Sequence, residues 1–137
     1  MPYATLADLL AHFGSDELIE LTDRAAPQAG TVDEDVLAHA QAAAKGEIDG
    51  YVAMRYALPF ASVPLRLVDL ACDITRYHLY THAVPDLVAE RYRAAIAFLR
   101  LVADGRATLG IPEDAGGGMG LVEISTGRQL FARGDRR

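Results

Sequence analysis

Few residues in this 137-residue chain have the type and spacing for chemistry. Asp69, Asp73 and Arg76 fall three and four residues apart on one predicted helix, so they share a face. Two carboxylates beside a guanidinium can act as acid and base in a cleft, which would make a small hydrolase. The same spacing also sets side-chain ion pairs on a helix surface. The structural reading is the one adopted, with Asp49 and Arg55 joining the network from across the preceding turn. A buried charge demands a partner, so such a network fixes how helices meet. Asp73 or Arg76 is therefore expected to pair outside its own helix, and loss of Asp73 to lower stability.

The remaining candidates fall short of a site. His78 and His82 lie one helical turn apart, but the sequence places no third ligand and has no HExxH pattern. Residues 23–34 begin and end on a carboxylate, as a calcium-binding loop does. Ala25 and Pro27 stand where oxygen ligands belong, and Gln28 where the tight turn needs glycine. The glycines at 116–118 and 120 lack the strand, helix and lysine of a phosphate-cradling loop. Cys72, the sole cysteine, sits in the most apolar helix and reads as a buried thiol. No catalytic residue, metal or cofactor is assigned, and the chain reads as a non-enzyme.

The elements that position these residues follow from helical periodicity. Thr5 caps a short helix to Phe13, Gly14 stops it, and Ser15 starts the next. Asp33 opens a long helix to about Met54, lined by Leu37, Ala40, Ala44, Ile48, Tyr51 and Val52. Its glycines, Gly46 and Gly50, are costly inside a helix and predict a neighbouring backbone at close range, or a bend. An elbow punctuated by Pro59 and Pro64 leads to a helix reaching about His82, with Leu67, Leu70, Ala71, Ile74, Tyr77 and His78 inward. Pro85 begins the last long helix, which Gly105 ends. The fold expected is all-α: a compact bundle of two short and three long helices.

A helical domain over 1–105 would then carry a glycine-rich arm over 106–137. Leu121, Val122, Ile124, Leu130 and Phe131 are the arm's apolar anchors, spaced as a short β-hairpin over 121–132. An isolated hairpin is marginal in water, so the arm's order is assigned to a partner. Arg128, Arg133, Arg136 and Arg137 against Asp135 give residues 125–137 a charge of +3; the rest of the chain, at a total of −6, carries −9. An acidic body repels phosphate and disfavours broad nucleic-acid binding. A basic tail suits an acidic partner such as another copy, or, in the alternative of a nucleic-acid-binding or regulatory module, phosphate. No apolar run is long enough to span a bilayer, and the start lacks the pattern of a signal peptide.

Three stretches carry a family resemblance: YATLADLLAHFGSDELIELTDR, VDEDVLAHAQAAAKGEIDGYVAMRYALPFASVP and LVDLACDITRYHLY. Together they resemble the Mu-like phage and prophage head–tail connector, or adaptor, family over about residues 3–105. Family members tend to have an Asp-rich loop after the TDR, where this chain has AAPQAG. The resemblance implies a structural protein of the virion neck, made in the host cytoplasm. Copies would form a ring, about twelve-fold in related adaptors, between portal protein and tail-side neck proteins. DNA would pass through that ring without sequence-specific contact.

Overall fold

The computed structural model describes residues 1–112, which form α1 (Leu6–Phe13), α2 (Ser15–Thr22), α3 (Glu34–Val52), α4 (Leu65–Leu79) and α5 (Asp86–Ala103). Among the described residues there is no strand, and the fold is an all-α bundle of two short and three long helices. The hairpin expected over 121–132, with its anchors and the arginines from Arg128 onward, lies outside the described residues.

The helix starts obey local rules. The Thr5 side chain accepts a hydrogen bond from the Asp8 N–H, and the Asp8 carboxylate accepts from the Thr5 N–H, a reciprocal cap for α1. Gly14, at φ 87°, ends α1 and turns directly into α2. Asp33 caps α3 by accepting from the N–H groups of Asp35 and Val36. The ends are set less locally. α4 stops at Leu79 rather than near His82, because the Arg24 guanidinium donates to the Leu79 carbonyl at 2.6 Å and Tyr80 turns extended. A helix-end carbonyl needs a partner, and here the partner is more than fifty residues away.

Packing places α3, α4 and α5 in mutual contact, with α1 on α4 and α2 on α3. α3 buries Leu37, Ala40, Ala44, Ile48 and Val52. α4 answers with Leu67, Leu70, Ala71 and Ile74, and α5 with Ala95, Ile96, Leu99 and Val102. Leu9 and Leu18 close the core from α1 and α2. Each fully buried large aliphatic side chain among these contributes about 1.5–3 kcal/mol. The elbow between α3 and α4 belongs to the same core. Tyr56 is 2% exposed, and its hydroxyl accepts from the Leu109 N–H at 3.0 Å. Leu109 is itself buried, so the helical body extends past Gly105, where the sequence reading divides the chain.

Gly46 and Gly50 depart from expectation. Both lie on the exposed side of α3, and a Cβ added to either would meet nothing within 4 Å. No backbone approaches them, and α3 runs unbroken through both. Their cost in helix propensity is therefore uncompensated among the described residues. Gly46→Ala and Gly50→Ala are each expected to stabilise the protein by about 0.5–1 kcal/mol. Urea unfolding of the two variants checks this; a lower midpoint for either would restore the close-approach reading.

Candidate functional site

Of the five charged residues singled out by spacing, Asp49, Arg55, Asp69 and Arg76 go to separate partners, and the Asp73 side chain makes no ion pair among the described residues. Asp49 accepts from the Tyr3 hydroxyl and from Lys45 Nζ at 2.8 Å, one turn back on α3. It thereby fastens the N-terminal segment across α3. Burial, together with the adjacent Asp49 carboxylate, raises the Tyr3 phenol pKa. Arg55 donates from Nε to the Ala103 carbonyl at 3.1 Å, putting a cation at the negative end of α5. Its guanidinium lies 2.7 Å from where a Cβ on Gly105 would stand, and Gly105 sits at φ 78°. The backbone conformation favours glycine there, and a Cβ would have to displace the Arg55 guanidinium.

On α4, Asp69 faces His12 of α1 at 3.3 Å, both half exposed. Arg76 makes the strongest tie. Nε and Nη2 donate to the two oxygens of Glu17 on α2 at 2.7 and 3.1 Å, and the guanidinium lies 4.4 Å from the centre of the Phe13 ring. Arg76 thus pairs outside its own helix, as expected of one member of the pair. Asp73 has no salt bridge among the described residues. Burial raises its carboxyl pKa, partly offset by the positive charges of Arg91, His12 and Arg76. The expected single network across the α3–α4 hairpin is replaced by four separate contacts, and the Asp69 and Asp73 carboxylates do not converge on a common partner.

A cluster that spacing did not reveal centres on Glu47. Its Oε1 lies 2.5 Å from His78 Nε2, and its Oε2 accepts from the Tyr92 hydroxyl at 2.6 Å. The Tyr77 and Tyr92 rings stack beside it at 3.8 Å. One carboxylate of α3 therefore holds α4 and α5. Burial, then the Glu47 hydrogen bond, raises the Tyr92 phenol pKa. The only sequence signal was His78 on an otherwise apolar face. His82 lies beyond the end of α4, so the two histidines do not share a helix face. Among the described residues no group of three His, Cys, Asp or Glu could hold a metal ion.

The acidic loop is also internally satisfied. The buried Asp23 carboxylate accepts from the N–H groups of Ala29 and Gly30 at 3.1 and 2.7 Å. The loop backbone occupies the oxygens that a calcium loop would turn toward the ion. Cys72 is fully buried, and burial pushes its thiol pKa up to about 12. No described helix is long and apolar enough to cross a membrane.

Residues 3–118 match the family described as Bacteriophage Mu, Gp36. Gene product J of Escherichia phage Mu is 31% identical over 136 residues, covering 97% of this chain and 96% of the phage protein. The Mu-like prophage FluMu protein gp36 of Haemophilus influenzae is 36% identical over 88 residues, covering 64% of this chain and 62% of that protein.

Two outcomes follow from the charges on α4. Glu17→Gln weakens a largely buried charge-assisted pair and is expected to cost about 1–3 kcal/mol, read as a fall in the urea midpoint. Asp73→Asn is expected to act in the opposite sense. A carboxyl whose folded pKa is raised binds its proton more readily folded than unfolded. It therefore lowers stability as pH rises from the ordinary aspartate range through its folded pKa, and this loss persists above. Asp73→Asn should melt higher than the parent at neutral pH, with the gap closing as pH falls toward about 4. A lower melting temperature at neutral pH would mean that Asp73 has a stabilising partner.

Proposed function

This chain belongs to the bacteriophage Mu Gp36 family, and we propose that it is a head–tail adaptor of the virion neck. In this reading copies assemble as a ring, about twelve-fold, between the portal protein and the tail-side neck proteins. DNA crosses the ring without sequence-specific contact. The protein acts by assembly rather than by catalysis.

The observation that carries the reading is near full-length similarity to a phage Mu protein in a chain whose charged groups serve its own architecture. Glu47 joins three helices, Arg76 joins α4 to α2, Arg55 holds the end of α5, and Asp23 closes its own loop. Catalysis needs titratable groups left free beside a reacting atom. Here they are used to hold helices in place, which suits a part that must keep its shape under load. The described residues 1–112 carry fifteen acidic and nine basic side chains, and this acidity speaks against phosphate binding by the body; the alternative of a module that grips phosphate with the basic tail falls outside the described residues.

Particle composition tests the reading. The chain should be found in purified mature particles at a fixed, small copy number, cross-linkable to the portal protein. Particles made without it should accumulate as filled heads and separate tails, restored by the gene in trans. Absence from mature particles, or infectious particles made without the chain, would overturn the proposal.

A further inference from the structure

The N-terminal segment and the elbow enclose a mainly apolar cavity of about 390 Å³, within the size range of binding pockets. Pro2, Tyr3 and Lys45 line one side, and Phe60, Ala61 and Val63 the other. Its walls are fixed by contacts already in place. The Tyr3 hydroxyl is engaged by Asp49, and the Phe60 ring is held by Tyr3 and Tyr56 at 6.0 and 5.9 Å. Val63 stands at the rim, 37% exposed. Lys45 is the one charged side chain in the lining, beside Met1 with its N-terminal ammonium, and it has donors beyond the one given to Asp49.

The described chain ends close to this cavity. The Leu109 N–H is bound by the Tyr56 hydroxyl, and the Tyr56 ring touches Phe60, which forms the cavity wall. Ile111 packs against the same core. Leu109, three residues before the last described one, therefore lies one aromatic ring, that of Tyr56, from the Phe60 wall of the cavity. The first apolar run beyond it is Leu121-Val122-Glu123-Ile124. The residues between Pro112 and Leu121 can span up to about 30 Å, ample to reach back. A tether this short gives its end an effective concentration in the millimolar range. In an extended chain residues two apart share a face, so Val122 and Ile124 can enter together. The intervening Glu123 carries the charge that complements Lys45.

We propose that this cavity seats the chain's own C-terminal segment, residues 121–124, in the free protein. The docking goes beyond the adaptor reading, because it holds for an isolated chain whatever its role in the particle. Sequence alone assigned the arm's order to a partner. The cavity offers a seat nearer than any partner can be.

Paramagnetic broadening in the full-length chain tests it. Ser62 is exposed beside the cavity, so Ser62→Cys carries a nitroxide, while the buried, high-pKa Cys72 stays unlabelled. With nitroxide and ¹⁵N on the same dilute chain, the amide signals of residues 121–124 should be lost, and those of residues 133–137 retained. Val63→Asp at the rim and Ile124→Asp in the segment should each restore the lost signals. The second variant changes nothing in the described body, so it reads docking even if the first fails to fold. Undiminished signals at 121–124 would overturn the proposal. Broadening seen only when labelled chains are mixed with separate ¹⁵N chains would also overturn it, giving the cavity to a neighbour's arm. Particle composition is independent of either result, so failure of the docking and failure of the adaptor reading are told apart.

Discussion

Apolar burial is non-directional, and in this bundle one polar contact adds direction to it. Ala40 and Ala44 of α3, Ala71 of α4 and Ala95 of α5 are all buried. These alanines let the helices approach closely beside the larger Leu, Ile and Val side chains of the same core. The hydrogen bonds of Glu47 add a directional constraint. Its two oxygens bind His78 and Tyr92, and the stacked Tyr77 and Tyr92 rings close the gap beside them. A slip of one residue in α4 or α5 would leave a half-buried carboxylate without its donors, a cost added to that of the misplaced apolar side chains. One polar contact therefore joins all three long helices in addition to the apolar core.

Arginine performs a second structural task at three places. Arg24 binds the last carbonyl of α4, Arg55 binds a carbonyl at the end of α5, and Arg76 reaches from α4 to Glu17. A guanidinium offers several donors in a rigid fork and stays charged in partly buried surroundings. It can meet a helix-end carbonyl from another part of the chain and oppose the dipole as well. The three contacts join the ends of helices that the core joins at their middles. A body held at both levels suits a component that transmits force between larger assemblies.

The elbow unites the fold with the proposed docking. Tyr56 fills the turn between α3 and α4, receives the chain at Leu109 and supports Phe60. The residues that close the core thereby also place the start of the C-terminal segment next to an apolar cavity. Structure and reach are coupled through one side chain, so the arm's point of departure is as well fixed as the core itself.

Several features were legible in the sequence because they are local. Helix number and class follow from apolar spacing, and the starts of α1 and α3 follow from Thr5 and Asp33, whose capping acts within one turn. The ends of helices, the roles of charges and the environment of glycines were not legible, because each depends on a partner distant in the chain. Spacing put Asp69, Asp73 and Arg76 on one helix, but His12, Glu17 and Arg91 come from three other parts of the fold. Gly46 and Gly50 could be placed on α3 but not facing solvent, since propensity does not record which side a neighbour takes. Glu47 carried no signal at all. A single carboxylate in a helix has no periodicity of its own, and only tertiary packing brings an imidazole and a phenol to it.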